Sequence, residues 1–283
     1  MEKITLNNGV EMPIMGYGVM QMMGTECEEA VINAIEAGYR LFDTAELYGN
    51  EQAVGNAIKR SGVSREDIFI TTKFGSKEAG YQKTKAAFQK SLESLQLDYI
   101  DLYLIHQPFG DIFGSWHAMQ DLYHEGRIRA IGVCNFLPDR LMDLIVNSGF
   151  TPAVNQIETH PFNQQIETQK FLEANNVQIE AWGPFAEGMN NIFTNEILGT
   201  IGSKYNKTVA QVILRWLTQR GVVAIPKSAR KERIIENINI FDFELSEEDT
   251  RKIQTLDTGK SLLFSHRDPA IVKWMSEYGW LNN

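Results

Sequence analysis

Short apolar runs rich in β-branched residues recur along the chain, each followed by a longer stretch whose apolar residues fall at helical spacing. A period of two giving way repeatedly to a period near 3.6 predicts βα units and a mostly parallel sheet. The runs are expected to end at Gly18, Asp43, Lys73, Ile105, Cys134, Ile157, Trp182 and Ile225, so successive ends lie 25, 30, 32, 29, 23, 25 and 43 residues apart. Eight strands at about one unit each match an α/β fold of the (β/α)8 TIM-barrel type, which fits about 250 residues into one domain. An open doubly wound sheet would use the same alternation. The long last gap leaves room for an extra loop or short helix, and residues 1–283 are read as one domain.

The segments AVINAIEAG, KTKAAFQKSLESLQ, SWHAMQDLYHEG, LPDRLMDLIVNSG and TVAQVILRWLTQRG read as the amphipathic helices of such a barrel, several closing on a glycine where a C-cap is expected. Before the first strand, ITLNNGVEMP carries Asn-Gly between apolar residues, the signal of a β-hairpin lying under the barrel. The tail after Asp257 is aromatic and irregular, with Phe264, Trp274, Tyr278 and Trp280, and is expected to cross one mouth.

Charge excludes one large class of partner. Lys and Arg number 27 against 36 Asp and Glu, a formal net charge of −9, the wrong sign for a surface that neutralises phosphates, so no nucleic acid is expected. Two cysteines, Cys27 and Cys134, give no disulfide framework and suit a reducing compartment. The opening MEKITLNNGVEMPIM has no signal-peptide core, and no run approaches the ~18 apolar residues of a membrane helix. A cytoplasmic protein with no membrane partner is the expectation.

Barrel active sites form where strands end and βα loops begin, so polar residues there outrank the same residues elsewhere. Asp43, Lys73 and His106 stand at the ends of strands 2, 3 and 4, and Tyr48 follows five residues after Asp43. Converged at one mouth, these four make a proton donor. Lowering a tyrosine from a pKa of about 10 toward 7 takes about 4 kcal/mol in favour of phenolate. A Lys ammonium about 4 Å away supplies close to that at an effective dielectric near 20. Asp43 would keep Lys73 charged, and His106 would hydrogen-bond a substrate oxygen. A strand-end Lys73 also suits a Schiff-base aldolase.

The chain resembles the aldo-keto reductases over nearly its whole length. The matching stretches are LFDTAELYGNE with its GYR lead-in, IFITTKF, DLYLIHQP, GRIRAIGVCNF, AVNQIE, AWGPF and IPKSARKERIIENINIFDFELS, in that order. The resemblance implies reduction of aldehydes and ketones to alcohols, with Tyr48 as general acid and Asp43, Lys73 and His106 completing the catalytic group. It implies NADPH/NADP+ as cofactor, although no G-x-G-x-x-G fingerprint follows any strand: Gly16-Tyr17-Gly18 continues Val19-Met20-Gln21. By resemblance Asn135 and Gln156 hold the carboxamide, Trp182 stacks on the nicotinamide, and the loop opening with Gly183, Pro184 and Phe185 lies over the pyrophosphate. Lys227, Ser228 and Arg233 match the group gripping the adenosine 2′-phosphate, and Glu236 and Asn237 the adenine contacts. Two cations and a hydroxyl suit a phosphate dianion, which favours NADPH over NADH. Family members also include lens proteins and channel-associated subunits that bind cofactor without this role.

The chain departs from the family pattern at Cys134, where Ser is usual, at Gly183 and Phe185, where Ser and Leu are commoner, and at Met20 and Gln107, often Trp. The substrate pocket is expected to be walled by Met20, Phe74, His106 and Phe109, with Trp182, Phe185 and Phe264 as further apolar walls. The resemblance implies small 2-oxoaldehydes, aromatic aldehydes or keto-sugar acids as substrates, and a monomer. His117, Asp121 and His124 share one helix face, but that face should point outside the barrel, and no metal is expected. His160 and His266, in loop and tail, are read as structural.

Overall fold

The Asn-Gly step near the N-terminus turns the chain back on itself. Strand β1 (Lys3–Thr5) pairs antiparallel with β2 (Glu11–Pro13), Lys3 standing opposite Pro13. Gly9 takes φ +83° in the turn, a conformation open to glycine at no steric cost, and its N–H reaches Leu6 O at 2.9 Å. This is a computed structural model, and it describes residues 2–278; Trp280 and the side chain of Tyr278 lie outside what it describes.

Eight parallel strands follow: β3 (Tyr17–Gly18), β4 (Leu41–Asp43), β5 (Phe69–Phe74), β6 (Ile100–Ile105), β7 (Ile128–Cys134), β8 (Val154–Glu158), β9 (Gln178–Trp182) and β10 (Val223–Ala224). Each pairs with its sequence neighbours, as a barrel built from successive βα units requires. Met15 pairs in parallel with Ala224 and closes the ring, with Gly16 N on Ala224 O at 2.8 Å and Gly18 N on Pro226 O at 3.1 Å. A Cβ at Gly16 would stand 2.1 Å from Leu41 Cδ2 and 2.9 Å from Ile225 Cγ2, so any side chain there would have to displace both from the packed seam. The barrel expected from the spacing is thus formed, and the open sheet is excluded. Three strand ends differ by one residue from expectation, at Phe74, Glu158 and Ala224.

Helices α1 (Gly24–Ala37), α2 (Glu51–Ser61), α3 (Tyr81–Leu95), α4 (Ile112–His124), α5 (Pro138–Ser148) and α6 (Ile166–Ala174) follow β3 to β8 in turn. The long gap after β9 holds an irregular 3₁₀ stretch (Ala186–Thr194), α7 (Glu196–Tyr205) and α8 (Val209–Gln219). After β10 come α9 (Lys231–Ile238), α10 (Glu247–Gln254) and α11 (Pro269–Tyr278). The glycine stop expected after the first helix is a left-handed cap: Gly38 takes φ +105° and its N–H bonds back to the last turn.

Alternation along the strands sorts side chains into two buried layers. Phe42, Ile70, Phe74, Tyr103, Ile105 and Val133 face outward and pack under the helices. Leu41, Phe69, Leu102, Leu104, Ala130 and Val154 fill the barrel, and Leu6 and Met12 of the hairpin plug its N-terminal end. Above this apolar floor the inward positions turn polar: Asp43, Lys73, Gln156 and Glu180 are all buried there. That change of character marks the C-terminal mouth, where barrel active sites stand.

Candidate active site

The inward register of β4 and β5 brings Asp43 and Lys73 together, both almost wholly buried. Lys73 Nζ donates to Asp43 Oδ1 at 2.5 Å and to Thr44 O at 3.0 Å. Tyr48 sits on a 3₁₀ turn (Glu46–Tyr48) closed by Gly49 at φ +65°. Lys73 Nζ lies 5.2 Å from the Tyr48 ring centre, and the ring meets His106 edge-on with centres 5.8 Å apart. His106 continues β6, and its Nδ1 is buried with no hydrogen-bond partner among the described residues. The four side chains expected to converge stand at one mouth.

Their charge states follow from burial and from one another. Burial pushes the Tyr48 phenol up, Lys73 pulls it down and Asp43 pushes it up again, leaving it at about 12. The lowering toward neutrality expected from Lys73 alone is therefore not the net result, because desolvation of a phenolate outweighs one cation that is already paired. Burial would lower the Lys73 ammonium, but Asp43 and then Tyr48 outweigh it and its pKa is raised. A Schiff base needs the neutral amine, so this pairing opposes the aldolase reading. Burial first, then Lys73 and His266, hold His106 well below the usual histidine range, as a neutral imidazole.

Asn135, at φ +63°, takes an N–H bond from Trp182 Nε1 on its Oδ1 at 2.8 Å and donates from Nδ2 to His106 O at 3.2 Å. Gln156 Nε2 donates to Asp43 Oδ2 at 2.8 Å and to Glu180 Oε2 at 2.9 Å, while the Cys134 thiol points at Gln156 Oε1 from 3.9 Å. One N–H of Asn135, just past β7, and one lone pair of Gln156 Oε1, on neighbouring β8, stay available as a donor and an acceptor. Gly183 leaves β9 at φ +59°, Pro184 is buried, and Phe185 packs on Phe193 at 5.5 Å. Past β10, Lys227 is exposed and reaches Gln21 Oε1 at 3.1 Å, Ser228 O accepts from the Tyr17 hydroxyl, and Arg233 is exposed on α9. Glu236 Oε1 accepts from Thr208 Oγ1 at 2.9 Å, and Asn237 is buried.

Among the expected substrate walls, Phe74 is a correction. Lys73 faces into the barrel, so its neighbour faces out: Phe74 packs on Tyr103 at 5.5 Å, and Tyr103 packs on Phe88 of α3. It lies in the layer under the helices and cannot line the mouth. Met20 is partly buried in the loop after β3. Phe109 lies 6.1 Å from His266, and Phe264 lies parallel to Trp182 at 6.4 Å, so the tail does cross the mouth.

Two residues at the mouth were not among the expected site residues: His266, read as structural, and Glu180, which was not singled out. His266 Nε2 is 2.9 Å from Gln107 Oε1, and burial holds its pKa at about 4 despite Glu158, so it is a neutral part of the mouth wall. Nothing in an irregular tail announces this. Glu180 did leave a signal: a lone acidic residue at an inward position of β9, two before Trp182. His160 is structural as read, with Nε2 2.9 Å from Glu158 Oε1 and Nδ1 accepting from Phe162 N. On α4, Asp121 is taken by the Tyr81 hydroxyl and by Lys85, outside the barrel.

The model of the aldo/keto reductase family matches residues 14–258, and the chain belongs to that family of carbonyl oxidoreductases. It is 51% identical over 258 residues to the glyoxal reductase of Bacillus subtilis (strain 168), covering 90% of this chain and 93% of that one. Among solved structures, it is similar to an aldo-keto reductase from a Medee basin deep-sea metagenome library, with a TM-score of 0.92, 43% identity, and 94% and 98% of the two chains covered. It is also similar to the Bombyx mori aldo-keto reductase in complex with NADP, with a TM-score of 0.87, 34% identity and 96% of each chain covered. Among the described residues, no helix is long and apolar enough to cross a membrane.

Proposed function

We propose that this protein reduces small aldehydes, 2-oxoaldehydes foremost, to alcohols with NADPH, and that it works as a cytoplasmic monomer. The observation that carries the reading is the convergence of Tyr48, Lys73, Asp43 and His106 at the C-terminal mouth. The 2-oxoaldehyde class is supported by the relation to a glyoxal reductase, and NADPH by the complex of the silkworm relative with NADP.

The residues fit the cofactor. The spare N–H of Asn135 and the spare lone pair of Gln156 complement a carboxamide, and the Trp182 indole, tied to Asn135, offers a ring for stacking. Gly183, Pro184 and Phe185 would border the pyrophosphate. Lys227, Ser228 and Arg233 would hold the 2′-phosphate, with Glu236 and Asn237 beside the adenine. When bound, NADPH supplies the hydride. Tyr48 passes its hydroxyl proton to the carbonyl oxygen, and Lys73, itself held by Asp43, stabilises the phenolate left behind. The neutral His106 donates an N–H to the same oxygen and fixes its direction, with Met20 and Phe109 flanking the substrate.

The test is direct. NADPH is expected to quench tryptophan fluorescence, and its absorbance to fall when glyoxal, methylglyoxal or an aromatic aldehyde is added. Binding without turnover of any of them would contradict the reductase reading, and absence of binding would contradict the cofactor as well.

A further inference from the structure

Two carboxyl groups and one ammonium share the polar layer beneath Tyr48, and the second carboxyl group takes no part in the chemistry above. Glu180 is fully buried on β9, opposite Gln156 of β8 and Val223 of β10. Its Oε2 accepts a single bond, from Gln156 Nε2 at 2.9 Å, and its Oε1 has no partner among the described residues. Lys73 makes its bond to Asp43 instead, at 2.5 Å. An ionised carboxylate presents about four acceptor sites and, when buried, needs them filled or a cation in contact. One neutral N–H does not meet that need.

The groups facing Glu180 can be named strand by strand. Asp43 from β4 opposes its ionisation, Lys73 from β5 favours it, and the Cys134 thiol from β7 is neutral, its pKa raised chiefly by burial. Gln156 from β8 is uncharged and Val223 from β10 is apolar. Burial first, then Asp43, hold the Glu180 carboxyl above the usual range, against the pull of Gln156 and Lys73.

We infer that Glu180 keeps its proton in the working protein and serves as a positioning residue: as a neutral acid it anchors Gln156 with an N–H turned to Asp43 and leaves the one ammonium to Asp43 and Tyr48. Loss of that proton at higher pH places a second negative charge in the layer, competes with Asp43 for Lys73 and makes Tyr48 a poorer donor. The catalytic consequence rests on the reductase reading; the protonation does not.

The first arm therefore needs no cofactor: urea unfolding of the wild type and Glu180→Gln from about pH 5 to about pH 8. A carboxyl whose pKa is raised by folding costs nothing below its unfolded pKa of about 4.3; above that the unfolded chain ionises first, and stability is lost until the folded pKa is reached. The wild-type unfolding constant should rise relative to that of Glu180→Gln by about tenfold per pH unit in that window. A ratio independent of pH overturns the inference, and Glu180→Met provides the same comparison should the glutamine variant not fold. In the second arm, kcat/KM for NADPH-driven glyoxal reduction should decline at lower pH in the wild type than in Glu180→Gln. Superimposed profiles overturn the positioning role. Lack of turnover in the wild type would instead overturn the reductase reading, and the unfolding arm would still decide the proton.

Discussion

Arg233 is proposed to grip the 2′-phosphate, and its surroundings explain why it is suited to that role. It is exposed on α9, near Lys227 and Ser228 in sequence, in a chain whose net charge is −9. A cation left in solvent there suits a ligand phosphate, and a charge-assisted contact of that kind contributes about 1.5 to 3 kcal/mol. Arg233→Ala should therefore raise the Kd for NADPH by about tenfold or more while moving that for NADH little, measured by fluorescence titration. Equal losses for both cofactors would remove Arg233 from the 2′-phosphate. At this scale much of the mouth was legible, because Asp43, Lys73 and His106 end strands whose spacing the sequence displays. The acidity of Tyr48 was not legible, since it depends on how deeply the phenol is buried. Phe74 was misread for a different reason: adjacency to Lys73 in sequence means the opposite face in a strand.

Among the elements, the C-terminal ends of the strands were readable to within a residue because each is a short apolar run bounded by turn residues. The helices were less so. Helix α2 begins at Glu51, the last residue of the LFDTAELYGNE signature, and α6 (Ile166–Ala174) is too short to display a clear period. Packing between helices was hidden altogether, and two glycines make it measurable. A Cβ at Gly55 in α2 would stand 2.2 Å from Leu95 O at the end of α3, whereas at Gly199 in α7 nothing lies within 4 Å. Gly55→Ala should cost about 1 to 3 kcal/mol by forcing the helices apart, while Gly199→Ala should stabilise by about 0.5 to 1 kcal/mol through lost chain entropy. Denaturant unfolding checks both, and effects of the same sign would contradict the close approach of α2 to α3.

The whole molecule divides function from stability along the barrel axis. The hairpin plugs the N-terminal end through Leu6 and Met12, while the polar layer and the tail occupy the other. Met12→Ala should accordingly destabilise by about 2 to 5 kcal/mol with kcat/KM unchanged at a temperature where the variant remains folded. A comparable loss in kcat/KM would mean that the two ends are coupled. The hairpin was legible from Asn-Gly, and the tail's crossing of the mouth only from its aromatic content, since irregular chain carries no periodicity to place it.

Tyr48 is proposed to donate the proton, and Tyr48→Phe removes the one oxygen that could do so. Carbonyl reduction should fall by at least about a hundredfold in kcat, with the Kd for NADPH within a few fold of the wild type, because the hydroxyl serves the reaction and not the anchoring of cofactor. Retention of more than a few per cent of kcat would contradict the account.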